Sequence, residues 1–202
     1  MDKSFNKEDI TAVILAGGRA TRMGGTDKGL QSFKGTPMAL LALMRIAGQV
    51  GYCMINANRH LSAYESFGAD VWPDGNDEFA GPLSGFVIGL EHCETAYLLT
   101  VPCDTPFFPL DLAKRMVQGL QTADADIAMA AQAGHTQPVF CLLKHHMLES
   151  LLAFMKSGGR KIDAWTAQQK TVIVHFDEVG DDPHAFANAN TLEELAALEN
   201  AR

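Results

Sequence analysis

The run Thr11-Ala12-Val13-Ile14-Leu15-Ala16 passes without a break into Gly17-Gly18-Arg19-Ala20-Thr21-Arg22-Met23-Gly24-Gly25-Thr26-Asp27-Lys28-Gly29-Leu30. An apolar, β-branched run with no polar alternation is buried on both faces, as a strand is inside a parallel sheet covered by helices. A long glycine-rich loop leaving such a strand belongs at the carboxyl edge, where open α/β sheets hold their ligands. The rest of the chain must then supply the helices and the neighbouring strands.

It does so by alternation. Pro37 opens a helical pattern (Met38, Leu41, Leu43, Met44, Ile46, Ala47) that Gly48 and Gly51 close, proline in the first turn and glycine past the end. A strand is expected at Tyr52–Ala57, a short helix through Tyr64 and Phe67, a strand at Asp70–Trp72, and a helix from Gly81-Pro82-Leu83 to Leu90. Ala96–Val101 reads as the central strand, carrying Pro102-Cys103-Asp104 at its end. There follow a helix from about Leu110 to Leu120, strands at Asp126–Ala130 and Pro138–Leu143, a helix around Met147–Met155, a strand at Thr171–Phe176 and a final helix at Thr191–Leu198. Thr191 and Glu194 form a capping box for the last of these. The pattern predicts a Rossmann-like α/β fold with a mostly parallel central sheet and helices on both faces. A length of 202 residues with 47% hydrophobic side chains suits one domain over 1–202, with 1–9 as a flexible lead-in.

The charge balance narrows the partners. Sixteen Lys+Arg against 24 Asp+Glu leave −8, so nucleic acid and anionic membrane are not expected partners. No apolar run reaches the ~20 residues of a membrane helix, and the first ten residues lack the apolar stretch of a secretory signal; a cytoplasmic protein is expected. Cys53, Cys93, Cys103 and Cys141 have no CxxC spacing and are expected as reduced, structural thiols.

Within this acidic chain the loop is locally basic: Arg19, Arg22, Lys28 and Lys34 face only Asp27, a net +3. Glycines let successive N–H groups point into one concavity and cations at its rim neutralise phosphate oxygens, which suits a triphosphate. The same composition would also serve a solvated surface loop. Walker A and GxGxxG both fail on spacing. Asp104, expected at the carboxyl end of a central strand, is placed to hold magnesium, which takes its remaining oxygens from water and substrate; alternatively it caps the next helix. Asp74 in Pro73-Asp74-Gly75 reads locally as a turn residue. Ser157-Gly158-Gly159-Arg160-Lys161 could bind an anion or end a helix, and Asn188 and Asn190 could face a ligand or satisfy turn backbone.

The segment LAGGRATRMGGTDKGL, followed by Phe33-Lys34-Gly35-Thr36-Pro37, resembles the signature of the molybdenum cofactor guanylyltransferases, which belong to the nucleotidyltransferases with a Rossmann-like, nucleotide-diphospho-sugar transferase-like fold. Gly24-Gly25 and Asp27-Lys28 resemble the guanylyl-transferring branch more than the cytidylyl or sugar-nucleotide branches. The likeness continues through Asn56-Ala57-Asn58-Arg59, Gly81-Pro82-Leu83-Ser84-Gly85, Val101-Pro102-Cys103-Asp104-Thr105-Pro106 and Asn188-Ala189-Asn190-Thr191. It implies transfer of GMP from GTP to the terminal phosphate of molybdenum-molybdopterin, with loss of pyrophosphate and a need for Mg2+. By this resemblance Leu15, Ala16 and Gly17 line the guanine site through their backbone, Gly18 belongs with them to the binding residues, Lys28 meets the triphosphate, and Asn56 and Asp74 contribute to GTP binding, Asp74 through guanine or ribose. Asp104 holds the metal, Lys28 and Arg22 assist it in catalysis, and Asn188 and Asn190 are candidates for the pterin or its phosphate. A nucleotide-binding half over about 10–105 and an acceptor half over about 106–202 follow. Other cofactor-biosynthesis proteins and apo-molybdoenzymes are implied partners. The attacking phosphate is already an anion, so no general base is expected. The alternatives are a nucleotidyltransferase using another base or acceptor, such as CTP with molybdopterin or a sugar phosphate, and a non-catalytic GTP- or cofactor-binding module.

Overall fold

A computed structural model describes residues 5–17, 27–75, 81–189 and 194. Its centre is strand β1 (Ile10–Leu15), which pairs in parallel with β4 (Tyr52–Asn56) on one side and β6 (Tyr97–Pro102) on the other. With β5 (Asp70–Trp72), β7 (Ile127–Gln132), β8 (His135–Lys144) and β9 (Thr171–His175), the seven-stranded order is β5-β4-β1-β6-β8-β7-β9. The expected central strand is indeed the fourth of the seven. Only β8 runs against the others. A short hairpin of β2 (Ser32–Phe33) and β3 (Thr36–Pro37) stands apart.

Period-2 alternation divides the core between the two faces of the sheet. Ile10, Ala12, Ile14, Ile55 and Leu99 join one cluster with α1 (Met38–Ala47) and α4 (Leu112–Thr122). Val13, Met54 and Leu98 join the other with α3 (Pro82–Glu91), α5 (Met147–Lys156) and α6 (Ile162–Thr166). Helix α3 is buried from Leu83 to Leu90 because it lies between the sheet and α5, which is why its sequence is apolar all round. The short α2 (Leu61–Glu65) buries only Tyr64. A 3-10 turn, Lys7–Asp9, capped by Asn6, leads into β1. Among the described residues no helix is long and apolar enough to cross a membrane.

Several expected boundaries move. Pro37 ends β3 and α1 starts at Met38, because Lys34 and Gly35, both at positive φ, fold the preceding residues into a hairpin. Helix α4 starts at Leu112 rather than Leu110, since the carbonyls of Phe107, Phe108 and Pro109 are drawn onto Arg45 and Gln49. The expected Pro138–Leu143 strand extends to His135–Lys144 and is antiparallel: Ala133 (φ 51°) and Gly134 (φ 75°) make a two-residue hairpin loop. Pro138 is tolerated inside this sheet because the register shifts between Met129 and Ala130, leaving it in the bulge. Buried Thr100 ties the bulge to β6, donating to the carbonyl of Val139 at 2.6 Å and accepting from Cys141 N at 3.1 Å. Helix α6 has no counterpart among the expected elements. Of the expected final helix only Glu194, helical, is described.

Candidate functional site

Strand order reverses beside β1: the chain passes to β4 and β5 on one side and returns to β6 on the other. Such a switch point opens a crevice at the carboxyl ends of the two central strands. Leu15, Asn56, Pro102 and Trp72 lie in register along this edge. Ala16 and Gly17 follow β1 here and Asp104 follows β6, so residues distant in sequence meet by topology alone.

Lys28 also reaches the crevice. It lies in the 3-10 turn Lys28–Leu30, capped by the side chain of Asp27. Its Nζ donates to Asp104 Oδ2 at 2.9 Å, with the two side chains 28% and 19% exposed. Asp104 does not cap a helix, since the next one begins only at Leu112. Its carbonyl accepts from Ala189 N at 3.0 Å, which brings the exposed Asn188 beside it. Arg45 of α1 and Gln49, just past its end, hold the chain that follows Asp104. Arg45 donates to the carbonyls of Phe107 and Phe108, and Gln49 donates to Pro109 O.

A second group forms at the ends of β4 and β5. Asn56, 3% exposed, donates to Asp74 Oδ1 at 2.9 Å and to Trp72 O at 3.0 Å. Asn58 donates to Asp74 Oδ2 at 2.8 Å and to Gly17 O at 3.2 Å, and accepts from Asp74 N at 2.7 Å. Asp74 is therefore held on both oxygens by amides, an arrangement that goes beyond a local turn. A carboxylate has about four lone-pair directions, so acceptor capacity remains toward a ligand. The backbone of the expected guanine-lining residues is engaged within the protein: Leu15 O accepts from Cys103 N, Ala16 N donates to Asn56 O, and Gly17 O accepts from Asn58.

The structure thus brings Leu15, Ala16, Gly17, Lys28, Asn56, Asp74, Asp104 and Asn188 to one edge. Gly18, Arg19, Arg22 and Asn190 lie outside the described residues. Arg160 donates to Met155 O at 2.8 Å and to Gly159 O at 2.7 Å, so the Ser157–Lys161 cluster ends α5. Asn58 joins the site beyond the expected residues; its two-residue spacing from Asn56 is the signal in the sequence, since in an extended segment such a pair shares one face. Burial pushes the Cys103 thiol, next to Asp104, well above the usual range, which leaves it protonated and unreactive.

The model of the MobA-like NTP transferase domain matches residues 12–172. A molybdenum cofactor guanylyltransferase of Acidovorax sp. (strain JS42) is 62% identical over 205 residues, covering 96% of this chain and 97% of its own. One of Bordetella petrii is 61% identical over 198 residues, covering 96% and 99%. The fold is shared by the crystal structure of molybdopterin-guanine dinucleotide biosynthesis protein A from Archaeoglobus fulgidus, with a TM-score of 0.76 at 17% identity over 95% of this chain and 97% of that one. The α/β fold, the meeting of Lys28 and Asp104 at its carboxyl edge, and relatives this similar from end to end agree: the chain belongs to the molybdenum cofactor guanylyltransferase family of MobA-like NTP transferases.

Proposed function

We propose that this chain transfers GMP from GTP to the terminal phosphate of molybdenum-molybdopterin, releasing pyrophosphate and forming the guanine dinucleotide cofactor. The observation that carries the proposal is the meeting of Lys28 and Asp104 at the switch-point crevice. An acceptor phosphate oxygen forms a bond to the α-phosphorus as the bond from that phosphorus to the bridging β-phosphate oxygen breaks. Both partners are anions, so the work of the protein is positioning and charge neutralisation.

Lys28 takes the triphosphate and Arg22 adds a second cation from the same loop. Asp74, oriented by Asn56 and Asn58, accepts from the nucleoside part of GTP, against the backbone of Leu15, Ala16, Gly17 and Gly18. Nucleotidyltransferases of this kind work with a divalent cation. The donor set here fits magnesium: one carboxylate, Asp104, at the ligand edge, and no group of three or more His, Cys, Asp or Glu among the described residues that could hold an ion alone. That suits an ion which keeps several waters and completes its shell with phosphate oxygens. When bound, it would withdraw charge from the phosphates during transfer. Asn188, beside Asp104, faces the acceptor, with Asn190 as its neighbour in the motif. The nucleotide half spans about 10–105 and the acceptor half about 106–202. A cytoplasmic enzyme that hands its product to apo-molybdoenzymes or to other cofactor-biosynthesis proteins fits this chemistry.

The test is pyrophosphate release by the purified chain with magnesium and molybdenum-loaded molybdopterin, offered GTP, CTP, ATP or UTP separately. Release with GTP alone is expected. Release with CTP instead would transfer the assignment to another base, and no release with any nucleotide would leave a binding module.

A further inference from the structure

We infer that Tyr64 is a positioning residue for Lys28, acting through a buried hydrogen bond to Asp27. This rests on the reading of Lys28 as the triphosphate ligand. Tyr64 is fully buried and its hydroxyl donates to Asp27 Oδ1 at 2.5 Å across 37 positions of sequence. Asp27, 7% exposed, uses the same oxygen to accept from Gly29 N at 3.1 Å. The residue between them is Lys28. Its backbone is therefore clamped on both sides by one carboxylate, and that carboxylate is fixed by the phenol.

Two further observations give the contact its direction. A Cβ at position 29 would fall 2.3 Å from the Tyr64 oxygen, so the turn carrying Lys28 is shaped around the phenol and only glycine fits against it. Tyr64 is also the one buried residue of α2, the helix that follows directly on the Asn56–Asn58 segment. The phenol thus links the lysine turn to the segment that orients Asp74. Burial, reinforced by Asp27, raises the Tyr64 hydroxyl far above its ordinary range, so it remains a donor at any working pH. A rigid anchor matters here because a lysine stem has many rotamers to lose on meeting a phosphate.

The experiment is calorimetric titration of GTP and of guanosine, which has no phosphate, into wild type, Lys28→Ala, Tyr64→Phe and the double variant. Tyr64→Phe is expected to weaken GTP about tenfold, in line with loss of a hydrogen bond to a charged group, and to leave guanosine within about twofold. In the Lys28→Ala background it should add less than about twofold, because two residues acting through one contact are not additive. Unchanged GTP affinity in Tyr64→Phe, equal weakening of GTP and guanosine, or a full tenfold loss without Lys28 would each overturn the inference. Wild-type GTP affinity in Lys28→Ala would instead remove the reading of Lys28, and the positioning role with it. Should Tyr64→Phe fail to fold, Asp27→Asn keeps an acceptor oxygen in place and Asp27→Ala does not. The first should hold GTP affinity near wild type and the second lose about tenfold; equal affinities in the two would be decisive against the clamp.

Discussion

The ammonium of Lys28 and the carboxylate of Asp104 meet at 2.9 Å, each on the chain that leaves one of the two central strands. The pair is partly shielded, so each charge compensates the other. In the proposed reading triphosphate shares the lysine and a metal shares the carboxylate. Lysine and aspartate therefore pull opposite ways on bare GTP. Asp104→Asn should lower turnover by roughly a hundredfold or more, yet bind GTP in the absence of divalent cation at least as tightly as wild type, because a competing carboxylate is gone. Steady-state pyrophosphate release and a titration in chelator check the two halves. Weaker metal-free binding would mean that Asp104 positions the lysine more than it competes for it.

Asn58→Ala removes the amide that joins Asp74 to Gly17. Asp74 keeps Asn56, so its carboxylate stays paired but loses half of its orientation. The expected result is a rise of about tenfold in the KM for GTP with kcat changed less than about threefold, as for lost binding felt equally in ground and transition states. Equal falls in kcat and kcat/KM would place Asp74 on the reacting groups and away from the nucleoside.

The position of the site was legible because it depends on two strand ends: an unbroken apolar run into Gly17, and Asp104 after Val101. Periodicity sees both, and parallel topology does the rest. The reversal of β8 escaped because its turn is Ala133-Gly134, without the asparagine or aspartate that usually marks a two-residue hairpin. The partners of the site residues escaped for a different reason. Tyr64 with Asp27 and Gln49 with Ala113 are contacts between distant segments, and nothing local in the sequence distinguishes a buried tyrosine that packs from one that also aims a hydroxyl.

The cysteines separate by burial. Cys93, Cys103 and Cys141 are buried and Cys53 is half-buried. Burial raises the Cys53 thiol to about 11, so at pH 8 roughly a thousandth is thiolate, the reactive form. Iodoacetamide should label Cys53 slowly at pH 8, about tenfold faster per pH unit up to near 11, and reach the other three only on unfolding. Peptide mapping by mass spectrometry reads this directly. Fast labelling of Cys103 in the native protein would show that the chain around Asp104 opens.

Gln49 joins three segments with one amide. Its Nε2 donates to Arg45 O at 3.2 Å and Pro109 O at 3.1 Å, and its Oε1 accepts from Ala113 N at 3.1 Å. Ala113 is in the first turn of α4, where backbone N–H groups have no partner within the helix. Asp111, at the helix N-cap, makes no side-chain cap, so the Gln49 side chain, from the turn that follows α1, supplies it. Gln49→Leu keeps the volume and removes every bond. A buried donor and acceptor left unsatisfied should cost about 1–3 kcal/mol, or roughly 2–12 °C in Tm for a domain of this size. Because the same residue anchors the segment between Asp104 and α4, kcat should fall further than GTP affinity. A Tm within a degree of wild type would mean that water takes over the cap, and that the segment after Asp104 is held by Arg45 instead.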